Sequence, residues 1–132
     1  MKLKAIVLND YPSKIDEGHF ATNVLLGRKT LETRTRLFKY SGDIVICCGA
    51  KSKTRNSGLA LCVAHFGKGR PMTPEDEVQA MIEYHPKRIV YPLTNKRLFN
   101  KKFKFSKCKI GGSFQGIFDI ELPDGITLDK TE

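Results

Sequence analysis

The sequence predicts a small, mainly β domain of the α+β kind, a barrel or curled sheet with two or three helices flanking its open ends. Three observations carry this. Five to seven short runs are either apolar throughout or alternate with period two, glycine-bearing turns separate them, and two segments have helical spacing. At 132 residues the chain is long enough for one domain with a real core, so residues 1–132 are read as one unit.

The elements follow in order. "LKAIVL" (3–8) is a strand, broken by "DYPSK", where Pro12 removes a donor and restricts Tyr11. From Asp16 to Leu26, Phe20, Val24 and Leu25 fall at helical spacing. Gly18 weakens the first turn, and Gly27 sits where a C-terminal glycine belongs. "TLETRTR" (30–36) changes period, with Leu31, Thr33 and Thr35 on one side and Glu32, Arg34 and Arg36 on the other. "SGDIVICCGA" is a turn and a buried strand rich in β-branched residues, "KSKTRNSG" a basic loop, "LALCVAHF" (59–66) a strand, and "GKGRPM" a loop.

"TPEDEVQAMIEYH" has a full helix start, with Thr73 as cap, Pro74 in the first position and acids in the first turn. Val78, Met81 and Ile82 form its apolar, core-facing stripe. "RIVYPL" reads as a strand ended by its proline. "KKFKFSKCKI" alternates Phe103 and Phe105 with lysines, as a strand with aromatics inside and lysines in water, and "GGS" suggests a bend or bulge. "GIFDIEL" (116–122) turns Phe118, Ile120 and Leu122 inward, and the polar tail "PDGITLDKTE" frays.

Cys47, Cys48, Cys62 and Cys108 form no CxxC pair, and Cys47 and Cys48 face opposite ways on a strand. They read as small buried hydrophobes, with neither zinc nor disulfides expected. His19, His65 and His85 are widely spaced and read as surface or capping residues, so no metal and no cofactor is expected. No run reaches the roughly 18 apolar residues of a membrane span. The short apolar start is a first strand rather than a secretory signal, which places the protein in the cytoplasm.

The net charge of +9 is uneven. Ten Lys/Arg against two acids lie between Arg28 and Arg70, and nine Lys/Arg with no acid between Lys87 and Lys109. The acids gather at Glu75, Asp76, Glu77 and Glu83 and again after residue 118. One positive face fits attraction to nucleic-acid phosphate, and equally a solubility surface. The "GKGR" loop lacks the GxxxxGK[ST] pattern of a phosphate-binding loop. "KSKTRNSG", with Lys51, Lys53 and Arg55, is short and basic enough to follow an RNA strand.

The sharpest pattern is "LLGRKTLETR" (25–34). Gly27 permits a change of direction, Lys29 lies at the corner, and Glu32 and Arg34 leave one strand face about 7 Å apart. The three charges form a solvated ladder, worth a fraction of a kcal/mol, a mutually satisfied group in a cavity with donors left for a ligand, or a structural Glu32–Arg34 ion pair holding the strand to the helix. Arg34 would lower the Lys29 pKa and Glu32 would raise it, and the net direction is open. In a regular strand Thr33 faces away from Lys29.

At these residues the sequence resembles the ASCH domain family, related to the PUA fold. "GRKTLETR" matches its G-x-K-x-x-E-x-R signature at Gly27, Lys29, Glu32 and Arg34. "YSGDIVICCGA", "SGLALCVAHF" and "FQGIFDIELP" resemble the family's second, third and closing strands in order. The resemblance implies a PUA-like β-barrel whose cleft, beside the helix before the signature, is lined by Lys29, Glu32 and Arg34 and binds RNA or a nucleotide-like ligand. Thr30 and the loop residues Lys51, Lys53 and Arg55 join that ligand set. The runner-up is a hydrolase of a modified nucleoside such as N4-acetylcytidine, or of RNA, with Lys29 and Glu32 as catalytic candidates. The deacetylating branch resembles "GRKTxTxR", and Glu32 stands at its threonine. A protein partner on the acidic helix at 74–84 is a third possibility.

Overall fold

The computed structural model describes residues 1–10, 19–52 and 54–129. The expected break at Pro12, the helix start at Asp16–Gly18, Lys53 and the last three residues lie outside the described residues. Eight strands among the described residues form one open mixed sheet. They are β1 (Lys2–Leu8), β2 (Leu31–Arg34), β3 (Gly42–Cys48), β4 (Leu59–Phe66), β5 (Arg70–Pro71), β6 (Ile89–Lys104), β7 (Lys109–Gly112) and β8 (Phe118–Glu121). Their order is β2-β6-β4-β3-β1-β8-β7, with β5 beside β6. β1 and β3 run parallel, from Lys4 opposite Ile44 to Leu8 opposite Cys48, and every other ladder is antiparallel.

The apolar runs are continuous because the sheet is covered on both faces. Along β3, Ile44, Ile46 and Cys48 enter one cluster with Ile6, Leu8, Phe66 and Tyr91, while Val45 and Cys47 enter another with Phe103, Phe118 and Ile120. Cys47 and Cys48 therefore face opposite ways, as the strand period requires. Cys47, Cys48 and Cys62 are free and buried, and Cys108 is free and half-buried. Burial pushes the Cys62 thiol up to about 12, in keeping with a packing role. Phe103 and Phe105 are buried in the second cluster with Lys102, Lys104 and Lys107 outside, so these rings are core.

Helix α1 (Phe20–Leu25) lays Ala21 and Val24 on the first cluster. Gly27 follows it in the left-handed region at φ 79, as its position predicts. The second helical segment is shorter than its start signal suggested. A 3-10 turn (Pro74–Asp76) leads into α2 (Glu77–Ala80), and Met81 ends it at φ 59. The Thr73 amide donates to Asp76 Oδ2 at 2.8 Å, and Arg70 holds the same carboxylate with two contacts of 2.8 Å, which keep its pKa well below the usual range. With barely one α-turn formed, no stripe develops. Ala80 and Met81 are buried, whereas Val78, expected in the core, is 80 % exposed.

Two further expectations are corrected. Pro92 does not end its strand, for β6 runs 16 residues through it. Before Pro92 the strand pairs with β2 and β5, and after it with β4, so the missing N–H falls where the strand changes partners. The Pro92 carbonyl still accepts from Gly67 N at 2.8 Å. The tail does not fray up to residue 129. Leu128 bridges Phe99, Asp129 N donates to Leu98 O at 2.7 Å, and Ile126 is buried. Isoleucine and leucine two residues apart give this polar stretch an apolar side.

Candidate functional site

The corner after α1 is built to turn Lys29 inward. Gly27 reverses the chain, and the Asn23 carbonyl accepts from both Arg28 N (2.9 Å) and Lys29 N (3.1 Å). Thr30 then hands the chain to β2, its amide donating to Gln79 O (3.0 Å) and its carbonyl accepting from Leu93 N (2.8 Å). Pinned this way, Lys29 is 2 % exposed and Glu32 7 %. Their side chains line a cavity of about 180 Å3 together with Arg34, Arg88, Phe20 and Asn9.

Inside it the charges are interlocked. Lys29 Nζ lies 3.6 Å from Glu32 Oε1, donates to the Ala80 carbonyl, and stands 4.8 Å over the Phe20 ring. Arg34 Nε donates to Glu32 Oε2 at 2.7 Å, and its Nη2 to the Val7 carbonyl at 2.8 Å. Of the readings of "GRKTLETR", the solvated ladder is the one the geometry excludes. Burial lowers the Lys29 pKa most, Glu32 opposes that, and Arg34 and Arg88 add to the lowering. The direction left open by the sequence is therefore downward.

Arg88 was counted only within a basic block. The β2–β6 register sets Arg34 opposite Ile89, so the residue before Ile89 reaches the same cavity. Its Nε is buried with no hydrogen-bond partner among the described residues. Local sequence carried no signal for this, because the pairing is long-range.

The other anticipated residues divide. Thr33, expected on the far side of the strand, is also a lining residue. Thr30 is half-buried and is not among the lining residues. Lys51 is exposed and lines neither this cavity nor the neighbouring one, which takes Arg55. Lys53 lies outside the described residues. Among the described residues no group of three or more His, Cys, Asp or Glu is placed to hold a metal ion, and no helix is long and apolar enough to cross a membrane. No family model matches the chain, and no curated protein matches it.

Proposed function

We propose that this chain is a PUA-like ASCH domain protein that binds RNA or a nucleotide-like ligand through the Lys29 cavity. The observation that carries the reading is a buried ammonium and carboxylate lining one hollow with a half-buried guanidinium, and with the Arg88 Nε donor unpartnered beside them. A solvated surface ladder would not need burial, and burying these ions costs several kcal/mol each unless they are paired. The cavity's 180 Å3 is about six waters' worth of space at ~30 Å3 each. That is room for one flat ring rather than a whole nucleotide. Glu32 offers an acceptor, and Arg34, Arg88 and Lys29 offer donors, which suits the mixed edge of a pyrimidine base. The mainly β sheet, with β6 shared among three ladders, is compatible with a small PUA-like barrel. Free, buried cysteines fit a reducing, cytoplasmic setting.

The test is titration of the full chain with short single-stranded RNA at several salt concentrations. The expected result is binding that weakens steeply with salt and is reduced at least tenfold by Arg88→Gln. Absence of binding at low salt refutes the reading.

The hydrolase alternative is favoured by one observation, the downward shift of the Lys29 pKa, since a lysine that gives up its proton more readily is the better base toward an attacking water. Incubation with N4-acetylcytidine would then release acetate and cytidine, and Lys29→Ala would abolish this. An unchanged substrate removes this alternative.

A further inference from the structure

A second cavity, about 380 Å3, adjoins the same corner and is lined by His19, Thr22, Asn23, Arg28, Arg55 and Asn56, with Leu26 and Thr54. Two pairs of consecutive residues divide between the hollows. His19 and Arg28 line the larger one, and Phe20 and Lys29 the smaller. Consecutive Cα atoms are about 3.8 Å apart, so α1 and the Gly27 corner form a shared wall.

The larger cavity has the chemistry of an anion seat. Arg28 and Arg55 are exposed, and neither has an ion-pair partner among the described residues. His19 is held at φ 57, a region that costs a non-glycine residue about 1 kcal/mol or more, and its Nδ1 is buried without a hydrogen-bond partner. Strain and an orphaned ring nitrogen thus coincide at one lining residue.

The floor beneath is fixed. Asn56, 4 % exposed, accepts from Lys102 Nζ at 2.7 Å and donates to Thr22 Oγ1 at 2.9 Å. The Thr22 and Thr54 hydroxyls both donate to the buried Asp10 carboxylate. The segment carrying Arg55 is thereby tied to α1. Asp10 opposes an anion, but its oxygens are occupied by hydroxyl and amide donors, and Arg28, Arg55 and Lys102 outweigh it.

We propose that this Arg55 cavity is the phosphate seat of the ligand whose base enters the Lys29 cavity. The inference rests on the base-binding reading above. A pyrimidine ring fills the smaller hollow, its ribose crosses the wall at Gly27, and its phosphate is held by the guanidinium forks of Arg28 and Arg55. Together the hollows reach the size of an ordinary small-molecule site, roughly 300–1,000 Å3, which the Lys29 cavity alone does not. The preferred ligand is thus a pyrimidine nucleoside monophosphate, free or as one unit of a single strand.

Isothermal titration of the full chain with cytidine, uridine and their 5′- and 3′-monophosphates tests this. At least one monophosphate should bind ten or more times tighter than its nucleoside. In the double variant Arg28→Gln/Arg55→Gln that gain should vanish, so that nucleoside and monophosphate bind alike. A second double variant, Lys104→Gln/Lys107→Gln, removes equal charge away from the cavity and should keep the gain. Equal affinities in the unmodified protein, a gain surviving in the arginine variant, or one lost in the lysine variant would each overturn the phosphate seat while leaving the base-binding reading in place. If no nucleoside binds at all, the base-binding reading fails first and the phosphate seat falls with it.

Discussion

Lys29 is under two opposed demands. Burial disfavours its charge, and Glu32 at 3.6 Å favours it; burial has the larger effect and the pKa falls below its ordinary 10.5. The unfolded chain therefore holds more protons than the folded one between the folded value and 10.5, and stability rises with pH through that window. An NMR titration of Lys29 Nζ should give a midpoint below 10.5. Glu32→Gln should lower it further by removing the opposing carboxylate, and should cost about 3 kcal/mol because a buried pair is broken. An unshifted midpoint contradicts the account. The period of two and the glycine made the corner, and the shared face of Glu32 and Arg34, legible in the sequence. Their burial was not legible, because the groups that enclose them (the Val7 and Ala80 carbonyls and Arg88) come from segments far along the chain.

At the scale of elements, the wall between the two cavities depends on how α1 ends. Gly27 sits at φ 79, and a Cβ there would meet only Lys96 Nζ at 3.8 Å, so space is not the constraint. Gly27→Ala should therefore cost only the backbone term, about 1 kcal/mol, read as a lower urea midpoint. It should also weaken nucleoside binding, since the turn aims Lys29. A neutral substitution would mean that the corner is not strained. This helix end was readable because glycine has one strong local meaning there. The one-turn α2 and the passage of β6 through Pro92 were not. Start signals do not set helix length, and a proline's effect depends on whether a neighbour needs its missing N–H. The same local reading took Val78 for a core residue.

At the scale of the whole molecule, both faces of the sheet carry core, and the second core is closed by the tail. Ile126 and Leu128 pack there, and Thr127 exchanges hydrogen bonds with Asn100. A chain ending at Pro123 should lose at least about 2 kcal/mol, the value of one buried isoleucine side chain, and equilibrium denaturation reads this directly. An unchanged midpoint would mean the tail is an ornament. The mainly β class followed from the strand patterns. The strand order did not, because nothing local sets the first strand between the third and the last.

That placement has a consequence for how the molecule is made. β1 is synthesised before both of its partners, β3 and β8, the latter pairing Lys2 with Glu121. One flank can be matched once β3 has been made, while the other stays bare until β8, far along the chain, has left the ribosome. Contacts closing so large a loop make assembly slow, so β1 waits through the synthesis of β4 to β7 with an open flank that chaperones or like chains can occupy.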